Sequence, residues 1–191
     1  MANVSIIGSG NMGQAISSIV SKGANNVQML NSQDTDKAVT GDIVILAVPY
    51  PALQAIVEAR GDQLAGKVVV DITNPLNFET FDSLTVPADS SAAAELAAAL
   101  PQSKVLKAFN TNFAATLSSH SVGPNATTVL IAGDDANAKA ELASIVSAGG
   151  VKAIDAGALS RARELEAAGF LQLTLAASEK IAWTGGFAVV A

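Results

Sequence analysis

Three glycines near the start of the chain carry the clearest chemical signal. Gly8, Gly10 and Gly13 stand in the run GSGNMG, with Ser9, Asn11 and Met12 between them. This is the spacing of a turn that wraps a diphosphate. The first glycine permits the tight turn, the second lets the backbone approach the pyrophosphate, and the third lets a helix pack closely on a strand. The amides of Asn11 and Met12 open an expected helix, where unpaired N–H groups and the helix dipole favour an anion. A ligand-free glycine turn is the bland alternative, but a strand before the run and a helix after it supply the context that a dinucleotide site requires. No Lys-Ser or Lys-Thr pair follows the glycines, so the loop lacks the lysine of a triphosphate site.

The next chemical choice falls about 20 residues further on, where an NAD site places a carboxylate on the adenosine ribose. Here the sequence reads Leu30-Asn31-Ser32-Gln33. No carboxylate stands there to repel a ribose phosphate, and Asn31, Ser32 and Gln33 offer it neutral donors. Asp34 follows directly, no arginine is near in sequence, and Lys37 is the nearest cation along the chain. The balance favours NADP(H) over NAD. Ser32 and Asp34 have a plainer reading as caps of a short connecting helix.

Elements that would position these residues follow an alternating pattern. Short β-branched runs are expected as strands at Val4–Ile7, Val27–Leu30, Asp42–Val48, Lys67–Ile72, Val105–Phe109, Thr127–Ala132 and Val151–Ile154. Alanine-rich stretches of helical period separate most of them, at Asn11–Lys22, Pro51–Ala59, Ser91–Leu100 and Ala136–Ser147. Such alternation builds a doubly wound parallel sheet covered by helices on both faces, the α/β Rossmann type. Gly23 is placed to end the first helix in a left-handed cap. Only eleven residues, Asn31 to Gly41, separate the second strand from the third, which leaves room for one or two helical turns. A long final helix is expected over Ser160–Trp183, with apolar residues on more than one face. One side would pack on the core and the other on a second copy, so a homodimer is expected. We read residues 1–191 as a single domain, a dinucleotide-binding core over 1–155 with a C-terminal helix and tail over 156–191.

Composition narrows the function further. Half of the 191 residues are hydrophobic, the formal net charge is −6, and cysteine is absent. A nucleic acid would be repelled, and disulfides, thiolate metal sites and cysteine nucleophiles are excluded. No basic segment precedes the first apolar run, and prolines or charges break the later runs before about 18 residues, so a cytoplasmic protein without a membrane span is expected. His120, in SSHSVGPN, reads as a solvated loop residue. Asp134 and Asp135 read as a helix cap and first-turn charge rather than a metal pair.

The sequence resembles the NADP-dependent oxidoreductases of the deazaflavin coenzyme F420. The likeness rests on GSGNMG at Gly8–Gly13, AVPYPAL at Ala47–Leu53, DITNPLNF at Asp71–Phe78, VLKAFNT at Val105–Thr111 and DAGALSRARELE at Asp155–Glu166. The same pattern is similar to the cytosolic reductase domain of the six-transmembrane metalloreductases. The resemblance implies NADP(H) as cofactor and hydride transfer to a small-molecule acceptor, a flavin or deazaflavin. It places Ala47, Val48 and Pro49 beside the nicotinamide with Tyr50 behind, and Asn74 on its ribose; the plainer roles are an ordinary strand-ending turn for VPYP and a side-chain-to-backbone turn for Asn74. The family carries a histidine where this chain has Asn110. Asn110 and Thr111 would then bond the edge of a flavin ring, and the Trp183–Phe187 ending would help close the substrate side, with core or dimer packing as the plainer role for Trp183. Direct hydride transfer needs alignment rather than a catalytic acid or base, so no catalytic side chain is expected. The competing readings are a non-catalytic NADPH-binding regulator and a reductase of another small substrate.

Overall fold

The computed structural model describes residues 1–190. Its strands are β1 (Asn3–Ile7), β2 (Asn26–Leu30), β3 (Ile43–Leu46), β4 (Val68–Asp71), β5 (Lys104–Lys107), β6 (Ser121–Val122), β7 (Asn125–Ala126), β8 (Thr128–Gly133) and β9 (Lys152–Gly157). Its helices are α1 (Asn11–Lys22), α2 (Leu53–Leu64), α3 (Ala92–Ala99), α4 (Ala114–Ser119), α5 (Ala136–Ala148) and α6 (Ala162–Ala177). Seven strands form one sheet in the order β2-β1-β3-β4-β5-β8-β9. The fold is the expected Rossmann-type α/β sheet. β3 and β4 are apolar on both faces except for Asp71, and every residue in them is buried, as central parallel strands require. On one face Ile6, Ile45 and Val70 pack against Ile16 and Ile19 of α1 and Leu142 of α5. On the other, Val44, Leu46 and Val69 meet Leu53 and Leu64 of α2 and Leu96 of α3.

Four expectations need correction, the last of them the length of the final helix. The sheet is not wholly parallel, because β8 runs antiparallel to β5, pairing Leu106 with Gly133. After β5 the chain makes only the six-residue α4, ends it on His120 in the left-handed conformation (φ 58°), and turns back through the β6–β7 hairpin. It therefore re-enters the sheet from the end that β5 has just left. The helix expected between β2 and β3 is replaced by turns: the Asp34 carboxylate accepts from the Asn31 amide at 2.9 Å and the Asn31 side chain from the Gln33 amide at 2.8 Å. Such local bonds compete with helix formation. Gly23 is not left-handed (φ −75°); Ala24 takes that conformation instead (φ 59°). Gly23 is small because α5 passes close by, and a Cβ there would lie 3.1 Å from that of Ala148.

α6 is shorter than expected. It stops at Ala177 and closes through Lys180 N–H donating to the Leu175 carbonyl at 2.8 Å, with Glu179 left-handed. Its inner face is formed by Ala162, Leu165, Glu166, Gly169, Gln172 and Ala176, all buried. Leu171, on the outer face, is 52% exposed.

A buried ion group ties α6 to the sheet. The Lys107 ammonium lies 2.8 Å from Asp71 and 2.8 Å from Glu166, and also donates to the Thr73 carbonyl at 2.6 Å. Glu166 in turn accepts from the amides of Ala92 and Ala93, which open α3. Burial pushes the Glu166 carboxyl above its ordinary value, against the pull of the Lys107 ammonium. Two carboxylates thus share one cation out of contact with water. Removing the shared cation leaves both acids unpaired, a loss of about 3–5 kcal/mol. Lys107→Met should therefore lower the denaturation midpoint strongly in urea titrations. Glu166→Gln, which keeps the shape and removes the surplus charge, should cost much less; equal losses would show that charge pairing is not what fixes α6.

Candidate functional site

The first glycine turn is shaped by lack of space on its inner side. Gly8 has φ +119°, and a Cβ on it would lie 2.0 Å from the Ala47 carbonyl oxygen. A Cβ on Gly13 would lie 2.1 Å from the Gly8 oxygen. Neither contact is possible, so β1, α1 and the end of β3 meet at this distance only with glycine in both positions. Gly10 differs: it is exposed, and an added Cβ meets nothing within 4 Å. It is the N-cap of α1, no side chain caps the helix there, and the first turn holds no acidic residue. The opening amides of α1, at Asn11 and Met12, therefore face an open cradle with positive character. Ser9 and Asn11 are exposed at its rim and Met12 is half-buried. The cradle fits the diphosphate of a dinucleotide.

At the end of β2, Asn31, Ser32 and Gln33 are all exposed. Asp34 is turned inward and paired with Lys37 at 2.7 Å. That hydrogen bond, with the Asn31 amide, holds the Asp34 carboxyl below its ordinary value. The carboxylate is spent within the loop, and the three neutral side chains form the outward surface. Arg60 of α2 reaches the same loop and donates to the Lys37 carbonyl at 2.7 Å and to the Asp34 carbonyl. Reading along the chain missed it because it lies 26 residues from Asp34 and arrives through the packing of α2.

At the end of β3, the Ala47 amide donates to the Ile7 carbonyl at 2.8 Å, which sets Ala47 and Val48 beside the glycine turn. Pro49 is exposed and extended. Tyr50 begins a short 3₁₀ turn and points away toward α3, donating to Glu95 at 2.6 Å. Burial and this bond push the Tyr50 phenol up to about 12. The ring lines a groove of about 420 Å³ between α2 and α3 with Leu53, Val57, Ala92 and Leu96.

Beyond β4 and β5, Asn74 and Asn110 bond each other. Asn74 donates to the Asn110 carbonyl at 2.9 Å, and the Asn110 amide donates to Asn74 Oδ1 at 2.9 Å and to the Leu165 carbonyl at 2.8 Å. Asn110 is 4% exposed. Both hydrogens of its amide are committed, whereas Oδ1 has no hydrogen-bond partner among the described residues and is the atom left for a ring edge. The pair also braces the two strand ends against α6, where Gly169 has no room for a Cβ because Asn74 Oδ1 would lie 2.3 Å away. Thr111 is half-buried, with its carbonyl accepting from Gln172 at 3.1 Å. His120 is half-buried at the end of α4 and stands outside this group. Asp135 caps α5 through the Ala138 amide, whereas Asp134 accepts from the Leu159 amide.

The family described as NADP oxidoreductase coenzyme F420-dependent matches residues 32–75. An F420-dependent NADP reductase of Methanocaldococcus jannaschii is 33% identical over 143 residues, which is 73% of this chain and 64% of that protein. The likeness is to the F420-dependent NADP reductases. Metalloreductase STEAP3 of Rattus norvegicus is 34% identical over 132 residues, 69% of this chain and 26% of that protein. Both resemblances read from the motifs are thus met. The chain spans just under two thirds of the length of the M. jannaschii reductase. Among solved structures, one described as a candidate F420-dependent NADP reductase from Arthrobacter sp. FB24 aligns with a TM-score of 0.84 at 22% identity, covering 100% of both chains. That agreement fixes the fold.

Gly10 offers a direct test of the cradle. Its extended backbone accepts any residue, and an aspartate at an N-cap is a better helix start than glycine by a few tenths of a kcal/mol. Gly10→Asp should therefore melt no lower than the wild type while its carboxylate occupies the amides. Dinucleotide affinity, measured by titration, should fall by about tenfold or more; unchanged affinity would place the diphosphate elsewhere.

Proposed function

We propose that the protein is an NADP(H)-dependent oxidoreductase that passes hydride to a flavin-like or deazaflavin acceptor. The observation that carries this reading is the uncapped start of α1 at Gly10, set between Gly8 and Gly13, which the close approach of β1, α1 and β3 requires. In this reading Gly8, Ser9, Gly10, Asn11, Met12 and Gly13 hold the diphosphate. Asn31, Ser32 and Gln33 receive the adenosine ribose phosphate, for which an inward-turned Asp34 leaves no opposing charge. Sheet order then directs the nicotinamide half toward Ala47, Val48, Pro49 and the Asn74–Asn110 brace, with Tyr50 held aside by Glu95 and the acceptor beyond at Thr111. NADP(H) supplies the hydride chemistry when bound. The chain contributes position: two rings held in register need no proton donor, and orientation alone can lower a barrier by roughly 7–11 kcal/mol.

The resemblance to F420-dependent reductases and to a metalloreductase supports a small-molecule acceptor. Leu171 on the outer face of α6 is 52% exposed, and a leucine left uncovered there supports a homodimer built on that side. Among the described residues no helix is long and apolar enough to cross a membrane. We take the protein to act in the cytoplasm as one dinucleotide-binding unit.

Mixing the protein with NADPH and either coenzyme F420, FMN or FAD should bleach the acceptor or, in reverse, generate NADPH. Failure with every acceptor in both directions, alongside intact NADPH binding, would reduce the protein to a binder. Ser32→Asp should weaken NADPH by about tenfold through repulsion while leaving NADH within about twofold. Equal weakening of both would refute the assignment of the phosphate end.

A further inference from the structure

Gln172 is 2% exposed on the inner face of α6, and both ends of its carboxamide are used. Nε2 donates to the Thr111 carbonyl at 3.1 Å, and Oε1 accepts from the Phe187 amide at 2.7 Å. One side chain therefore joins two backbone segments: the loop that leaves β5 at the crevice and the tail that follows α6. The tail is shaped to reach it. Gly186 has φ +130°, a conformation L side chains rarely adopt, and a Cβ there would lie 2.8 Å from Gln172 Oε1. Three residues earlier, Trp183 rests on Phe113 with ring centroids 5.0 Å apart. Phe113 is buried, whereas Trp183 is 51% and Phe187 44% exposed. The tail thus forms a strap with one edge fixed and two aromatic faces left open, beside the β5 end of the crevice. An apolar residue would fill the Gln172 site as well; only a carboxamide links both segments with directed bonds.

We propose that Gln172 is a positioning residue for the hydride acceptor, latching the Trp183–Phe187 strap to the loop after β5 so that its aromatic faces form the outer wall of the acceptor site. The inference rests on the proposed reaction, since it presumes an acceptor at this end of the crevice. It assigns a role to a residue that touches neither nucleotide nor acceptor. Its effect should therefore appear in acceptor binding and leave NADPH binding alone.

Trp183 is the only tryptophan in the chain, so its fluorescence reports on the strap directly. Two variants open the latch from opposite sides: Gln172→Leu removes the carboxamide, and Gly186→Ala, at a left-handed glycine of the tail, crowds the carboxamide from the strap side. Both should shift Trp183 emission to the red and weaken FMN or coenzyme F420 binding to the NADP-loaded protein by about tenfold. Acceptor KM should rise in step, with NADPH affinity kept within about twofold. Should Gln172→Leu fail to fold, Gly186→Ala carries the test alone. Unshifted emission in the folded variants would show that Gln172 does not hold the strap, and shifted emission with unchanged acceptor affinity would show that the strap is no wall. A wild type that binds NADPH and no acceptor would overturn the proposed reaction and the latch with it. Equal acceptor binding by wild type and variants overturns the latch alone.

Discussion

The approach of three backbone segments at Gly8, Gly13 and Ala47 governs the rest of this structure. Oxygen atoms of Gly8 and Ala47 occupy the places where side chains would begin, so the start of α1 is drawn down onto the ends of β1 and β3. Gly10, which brings no side chain to the N-cap, leaves the first amides of α1 uncapped beside that contact. Unpaired donors at a helix start are costly to bury and favourable to offer to an anion. A packing constraint at Gly8 and Gly13 and a binding property at Gly10 therefore meet in one turn.

The other half of the crevice is organised by charge. Asp71, Lys107 and Glu166 come from three segments far apart in the chain, and their buried contact fixes α6 against the ends of β4 and β5. From that anchor α6 presents Leu165 to Asn110, Gly169 to Asn74 and Gln172 to Thr111. Three of the motifs that first suggested a family likeness, DITNPLNF, VLKAFNT and SRARELE, each contribute one member of this ion group. Through this ion group the three segments hold one another in place.

The nucleotide half was largely legible in the sequence. A glycine run between a β-branched strand and a helix with Met12, Ile16 and Ile19 on one face leaves few alternatives, and α1 begins and ends where that pattern does. Bounds of strands such as β3 were read too long because flanking residues share the same hydrophobicity. The reversal of β8 was not legible, since the direction of a strand depends on how its connection returns. Arg60, Lys107 and Gln172 were missed for a related reason. A lone charged or amide side chain in a helix or strand gives no periodic signal, and its partners lie 15 to 61 residues away. Asn74 and Asn110 were singled out, yet their mutual pairing became visible only with β4 and β5 side by side.

Amide resonances provide the most direct measurement of whether the start of α1 receives the cofactor. With isotope-labelled protein titrated with NADP, the backbone signals of Ser9 through Gly13 should move saturably, together with those of Asn31 to Gln33. Movement confined to the groove between α2 and α3, or no movement anywhere at saturating nucleotide, would contradict the account.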